Sequence, residues 1–134
     1  MALFSVTVGS TTYNASTASA VEQDKVLSLL SLTLMQTIFS NKLDEDPVKA
    51  LVPMFLSLPQ HVKQEVTSIL CKQVFISGTD SVTVTVRDFE NRMIEWNTLL
   101  AELTVRNFSD FFTWSKAVRE EEHQTRNSQP EAQA

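Results

Sequence analysis

Residues 81–114 read SVTVTVRDFENRMIEWNTLLAELTVRNFSDFFTW. The stretch opens with Val82, Val84 and Val86 alternating with Thr83 and Thr85, the period-2 pattern of a half-buried strand. At Asp88 the period changes, and its carboxylate suits an N-cap because it can accept a bond from a free first-turn amide. Beyond it Phe89, Met93, Trp96, Leu100 and Leu103 recur at alternating spacings of four and three. With Leu99 they form a stripe about 120° wide, the core face of an amphipathic helix. Asn91, Glu95, Thr98 and Glu102 fall opposite, and Glu102 with Arg106 makes a favourable i, i+4 pair. A second, narrower stripe of Ile94, Ala101 and Val105 predicts that the helix touches something on two sides.

The pattern loosens at Asn107 and NFSDFFTW follows, with Phe108, Phe111 and Phe112 giving a short second helix an aromatic face. Ser109 or Asn107 caps it. Six of the eleven aromatic residues lie between Phe89 and Trp114. Aromatic side chains bury about 150–250 Å² each, so the densest packing is expected here.

A chain of 134 residues is one domain, able to bury about 70% of its unfolded surface without staples. The apolar fraction of 43% predicts a globular body. A net charge of −5 and the lack of clustered Lys and Arg argue against a nucleic-acid reader. The single Cys71 excludes an internal disulfide and fits a reducing compartment. No basic side chain precedes Lys25, so the charged n-region of a signal peptide is lacking. The Asn-X-Ser triplets at Asn14 and Asn107 are then chance matches.

Taken in order, Ala2 to Val8 is a short strand, Gly9-Ser10 a turn and Thr11 to Tyr13 a return strand. A hairpin this small needs a partner surface, and Val82–Val86 is the expected one. Asn14 to Ala20, small and polar, is expected to be a linker. Ser19 to Glu22 fits a capping box opening a helix. From Val26 to Asn41 no residue is charged, but Ser28, Ser31, Thr33, Gln36, Thr37 and Ser40 interrupt the run. It falls short of the roughly 20 apolar residues that span a bilayer, so a central helix buried on most faces is expected. Asn41 to Asp46 breaks it, and Asp46-Pro47 reads as N-cap and N1 of a helix that Pro53 interrupts or bends. After Ser57-Leu58-Pro59, Val62, Val66, Ile69, Leu70 and Val74 give an amphipathic helix, and Thr79-Asp80 turns the chain. Glu120 to Ala134 holds no large aliphatic or aromatic residue. The expected architecture is mainly α: a compact helical domain over 1–118 with a small antiparallel β element pairing the N-terminal hairpin with strand 82–86, and a disordered polar tail over 119–134.

Residues with chemistry are sparse. His61 and His123 have no second ligand at metal spacing. Cys71 falls on the apolar helix, where a structural thiol is the simpler reading than a nucleophile. Asp44, Glu45 and Asp46 read as a solvated loop, and Glu120 to Glu122 as an exposed charged end. Gly9 and Gly78 are the only glycines, too few for a phosphate-cradling loop. No catalytic residue, metal or cofactor is expected.

The aromatic face carries the one sharp hypothesis. For Phe108, Phe111 and Phe112 the plain reading is core. Trp114 projects about 60° from Phe111, at the flank of that face, and Trp is enriched at interface hot spots. Phe108, Phe111, Phe112 and Trp114, with Ile94 and Val105 of the second stripe, are therefore the candidate partner-binding residues.

Acidity, a helical pattern, a valine–threonine strand feeding a helix, Ser5-Val6-Thr7-Val8 near the start and Asn107 to Phe112 near the end make this chain similar to one family. From about Phe4 to Lys116 it resembles the tail assembly chaperones of lambda-like long-tailed phages, in their short, non-frameshifted form. The resemblance implies a non-catalytic protein of the host cytoplasm that is absent from the mature virion. Such proteins coat the tape measure protein, keep it soluble and help to recruit tail tube protein. A programmed ribosomal frameshift typically adds a second domain. Self-association into a homo-oligomer is implied too, with no nucleic acid or membrane partner. Two rival readings are a small phage regulator that inhibits a host protein and a minor tail completion protein.

Overall fold

The computed structural model describes residues 2–40, 46–78 and 82–128. The fold is mainly α with a small antiparallel sheet: five α-helices against three strands among the described residues. Strand β1 (Leu3–Val8) turns through Gly9 and Ser10 into β2 (Thr11–Ser16), and Gly9 takes the positive φ of 60° that a two-residue hairpin loop requires. Register pairs Val6 with Tyr13 and Val8 with Thr11, so Val6, Val8, Tyr13 and Ala15 share the inward face. The third strand, β3 (Val74–Ile76), lies beside β2.

Two expectations about the sheet are corrected. The partner of the hairpin is 74–76, not 82–86: from the latter only Thr83 forms a bridge, to Phe75, and Val86–Phe89 is a 3-10 helix. Asn14 to Ser16 belongs to β2 rather than to a linker. Val74 fitted the helical spacing of Val62, Val66 and Leu70, but the helix has ended by then. Pairing with Ala15 makes Val74 a strand residue.

Helix α1 (Ala20–Ser40) starts at the expected capping box, with the Ser19 amide donating to Glu22 Oε1 at 3.4 Å and the Glu22 amide to Ser19 Oγ at 3.3 Å. Lys72 pairs with Glu22 at 3.1 Å, and this bond first, then those from Ser19, hold the Glu22 carboxyl below its usual value. The helix is not buried on most faces: Val26, Leu30, Leu34 and Thr37 form one inward row, while Leu32 is 71% exposed. No helix among the described residues is long and apolar enough to cross a membrane.

Asp46 caps α2 (Pro47–Ser57) as expected, accepting from the Val48 amide at 3.0 Å, with Pro47 in the first turn. Pro53 does not interrupt this helix. Helix α3 (Gln60–Leu70) follows Pro59 and buries Val66 and Leu70. Of the break expected at Asn41 to Asp46 all but Asp46 lies outside the described residues, as does the turn expected at Thr79-Asp80.

The helix read from residues 89–103 is α4 (Met93–Asn107), and it is the hub: it contacts β1, α2, α3, the 3-10 helix and α5. Trp96, Leu99, Leu100 and Leu103 are buried, and so is Ala101 on the second stripe, so the helix does pack on two sides. Its start differs from expectation. Asn91 adopts φ 65°, a left-handed geometry that Asn tolerates, and this separates Phe89 from the helix. Asp88 therefore caps nothing in α4; its Oδ2 accepts the Thr85 amide at 2.8 Å in the preceding turn. The Glu102–Arg106 pair is not among the ion pairs of the described residues, and the Arg106 guanidinium lies 5.8 Å from the Phe4 ring centroid.

Buried aromatics knit sheet to helix. Tyr13 and Phe89 stack at 6.0 Å between centroids, and Phe89 meets Trp96 at 5.3 Å. The remaining helix, α5 (Ser109–Ser128), extends well into the segment expected as a disordered tail. Arg119 to Gln124 is made of residues of fair to good helix propensity with no Gly or Pro, so a helix once started can run on in water.

Candidate partner-binding surfaces

The aromatic motif splits in two. Phe108 ends α4 and is buried, its amide donating to the Thr104 carbonyl at 3.0 Å. Phe111 and Phe112 are half-buried against the core and meet edge to face at 5.6 Å. Trp114 packs its ring 5.8 Å from Phe111 and is 50% exposed. Phe111 thus lies between the half-buried Phe112 and a surface indole.

Ile94 is 60% exposed, whereas Val105 is half-buried against the core. Ile94 stands at the first turn of α4 and Phe108 just beyond its last. At 1.5 Å per residue the helix sets them about 20 Å apart. The candidate residues therefore do not form one surface. Phe111, Phe112 and Trp114 are brought together, Phe108 joins the core, and Ile94 stands alone.

A cleft of about 450 Å³ that the sequence pattern does not announce lies between α3 and the Thr83–Val86 segment. Trp96 lines it while only 3% exposed, and Val86 and Met93 line it at 46% and 45% exposure. Met93 was expected in the core. The first turn of α4 places it at the cleft instead. Lys63 reaches in from α3, and its ammonium donates to Asn97 Oδ1 at 2.5 Å. Asn97 is buried, and its amide donates to the Met93 carbonyl at 2.7 Å. Burial holds Lys63 below the usual lysine value. The spacing of Lys63 to Asn97, 34 residues apart in sequence, gives no local signal of this contact.

Cys71 also lines the cleft, but its thiol is buried and pushed up to about 12, so it is not poised for nucleophilic chemistry. Among the described residues no group of three His, Cys, Asp or Glu could hold a metal ion. A second hollow, of about 480 Å³, lies on the outer sheet face between Leu3, Ser5, Asn14 and Phe75. Its floor is tied by a Ser5 hydroxyl donating to Asn14 Oδ1 at 2.9 Å.

No protein-family model, curated protein or solved structure matches this chain.

Proposed function

We propose that this chain is a non-catalytic tail assembly chaperone of a long-tailed phage, which binds the tape measure protein in the host cytoplasm. The observation that carries the reading is the distribution of exposed apolar side chains over an acidic body. Leu32 on α1, Ile94 at the start of α4 and Trp114 on α5 stand exposed on different elements of a chain with net charge −5. A coat protein for a long helical client needs several separate apolar contacts, each weak, and a surface whose charge keeps the complex dissolved. The same residues suit self-association along the client. In this role the chain holds the tape measure protein soluble, helps to bring tail tube subunits to it, and is left out of the finished virion.

Co-expression with the tape measure protein of the same gene cluster tests the reading. The client is expected to move from the insoluble to the soluble fraction and to co-purify with this chain. A client that stays insoluble overturns the proposal. Detection of the chain in purified virions would favour a tail completion protein.

A further inference from the structure

The cleft between α3 and the Thr83–Val86 segment joins cationic side chains to half-exposed apolar ones. Its charged side chains, Lys63 and Lys72, are both cationic, although the chain as a whole is acidic. Lys72 is satisfied by Glu22 at 3.1 Å. Lys63 is not: among the described residues no carboxylate forms an ion pair with it, and its bonded partner is the neutral Asn97 amide. An ammonium carries three donors, so two remain for something else. Along the same cleft Val86 and Met93 stand half-exposed with the Trp96 indole behind them, among polar side chains such as Gln60, Gln64 and Thr67.

We infer that this cleft is a docking groove for a partner peptide segment in which a carboxylate is flanked by apolar side chains. Lys63 takes the carboxylate, and Val86 and Met93 take the apolar neighbours. Charge complementarity selects this occupant. A half-buried cation with no ion pair among the described residues has already lost part of its hydration, so a carboxylate arriving there gains a charge-assisted bond at reduced further desolvation cost. Two lysines, one of them already paired with Glu22, do not provide the row of positive charges that a nucleic-acid backbone requires. The thiol of Cys71 is too deeply buried to take part. The inference rests on this chain being a binding protein, and it adds to that reading the chemistry of the bound segment.

Random dodecapeptides displayed on phage and selected against the full chain test it. Enriched peptides are expected to place Asp or Glu between apolar residues. Synthetic copies should bind at least tenfold more weakly to Lys63→Met, and selection against Lys63→Glu should enrich basic residues instead. Met93→Ala should weaken the same peptides, a control needed if the Lys63 variants unfold by circular dichroism. Amide shifts on peptide addition should centre on Thr67, Thr85 and Trp96. Failure to enrich acidic–apolar peptides, equal binding to Lys63→Met and Met93→Ala, or shifts centred elsewhere would each overturn the proposal. None of those results touches co-purification with the tape measure protein, so the two readings fail separately.

Discussion

Asn107 Oδ1 accepts the backbone amide of Ala18 at 2.8 Å, tying the end of α4 to the approach to α1 across 89 residues of sequence. The same side chain donates to the Leu103 carbonyl at 2.8 Å, and Gln23 Nε2 donates to the Asn107 carbonyl at 3.1 Å. One buried amide thus fixes where the first long helix starts relative to the hub.

Asn107→Ala leaves the Ala18 amide without its acceptor in a partly buried position. Losing such a partner costs about 1–3 kcal/mol. Chemical denaturation should show a lowered midpoint with an unchanged slope; a midpoint equal to wild type would mean that water replaces the bond freely.

The two tryptophans should part company. Trp96→Ala removes a buried ring packed on Phe89 and should cost about 3–5 kcal/mol. Trp114→Ala removes a half-exposed ring and should cost well under half of that; under the proposed function, with the indole a hot spot, it should also weaken tape measure binding by about 2 kcal/mol. Thermal melts and co-purification of the two variants read both quantities.

Cys71 should be silent in the native protein. With its thiol pushed up to about 12 by burial, labelling by Ellman's reagent at pH 8 should be slow and should track unfolding rather than thiolate population. Rapid labelling of the folded chain would contradict its burial.

Burial raises the Glu102 carboxyl, Arg106 opposes this, and Asp46 adds to it. A carboxyl raised on folding contributes stability below its unfolded value, near pH 4, and loses it as pH rises through the folded value. At neutral pH the ionised group is therefore a small penalty. Glu102→Gln should raise the Tm slightly at pH 7, and the gain should shrink as pH falls towards 4.

What was legible in the sequence is what neighbouring residues encode. The four-and-three spacing of Trp96, Leu99, Leu100 and Leu103 gave the hub helix and its buried face, and Ser19-Glu22 and Asp46-Pro47 gave two helix starts. What was not legible depends on distant partners. Val74 keeps helical spacing yet pairs with Ala15, and the alternating 82–86 run forms only one bridge. Asn91 in a left-handed conformation shifted the helix start past Phe89 and left Met93 on a surface. Of the candidate residues, Phe108 went to the core because it ends the hub helix. The cleft stayed hidden because Lys63 and Trp96 meet only when α3 and α4 pack together.

The hub stands late in the chain, and this sets an order of events during synthesis. The hairpin, α1, α2 and α3 are all synthesised before residues 93–107, so Val6, Leu51 and Phe55 have nothing of α4 to close over them until it follows. Contacts of long sequence separation are slow to form, and apolar surface waiting for them is prone to aggregate. The fold is therefore expected to close in one late, concerted step, with a nascent chain halted short of α4 being the species most in need of protection.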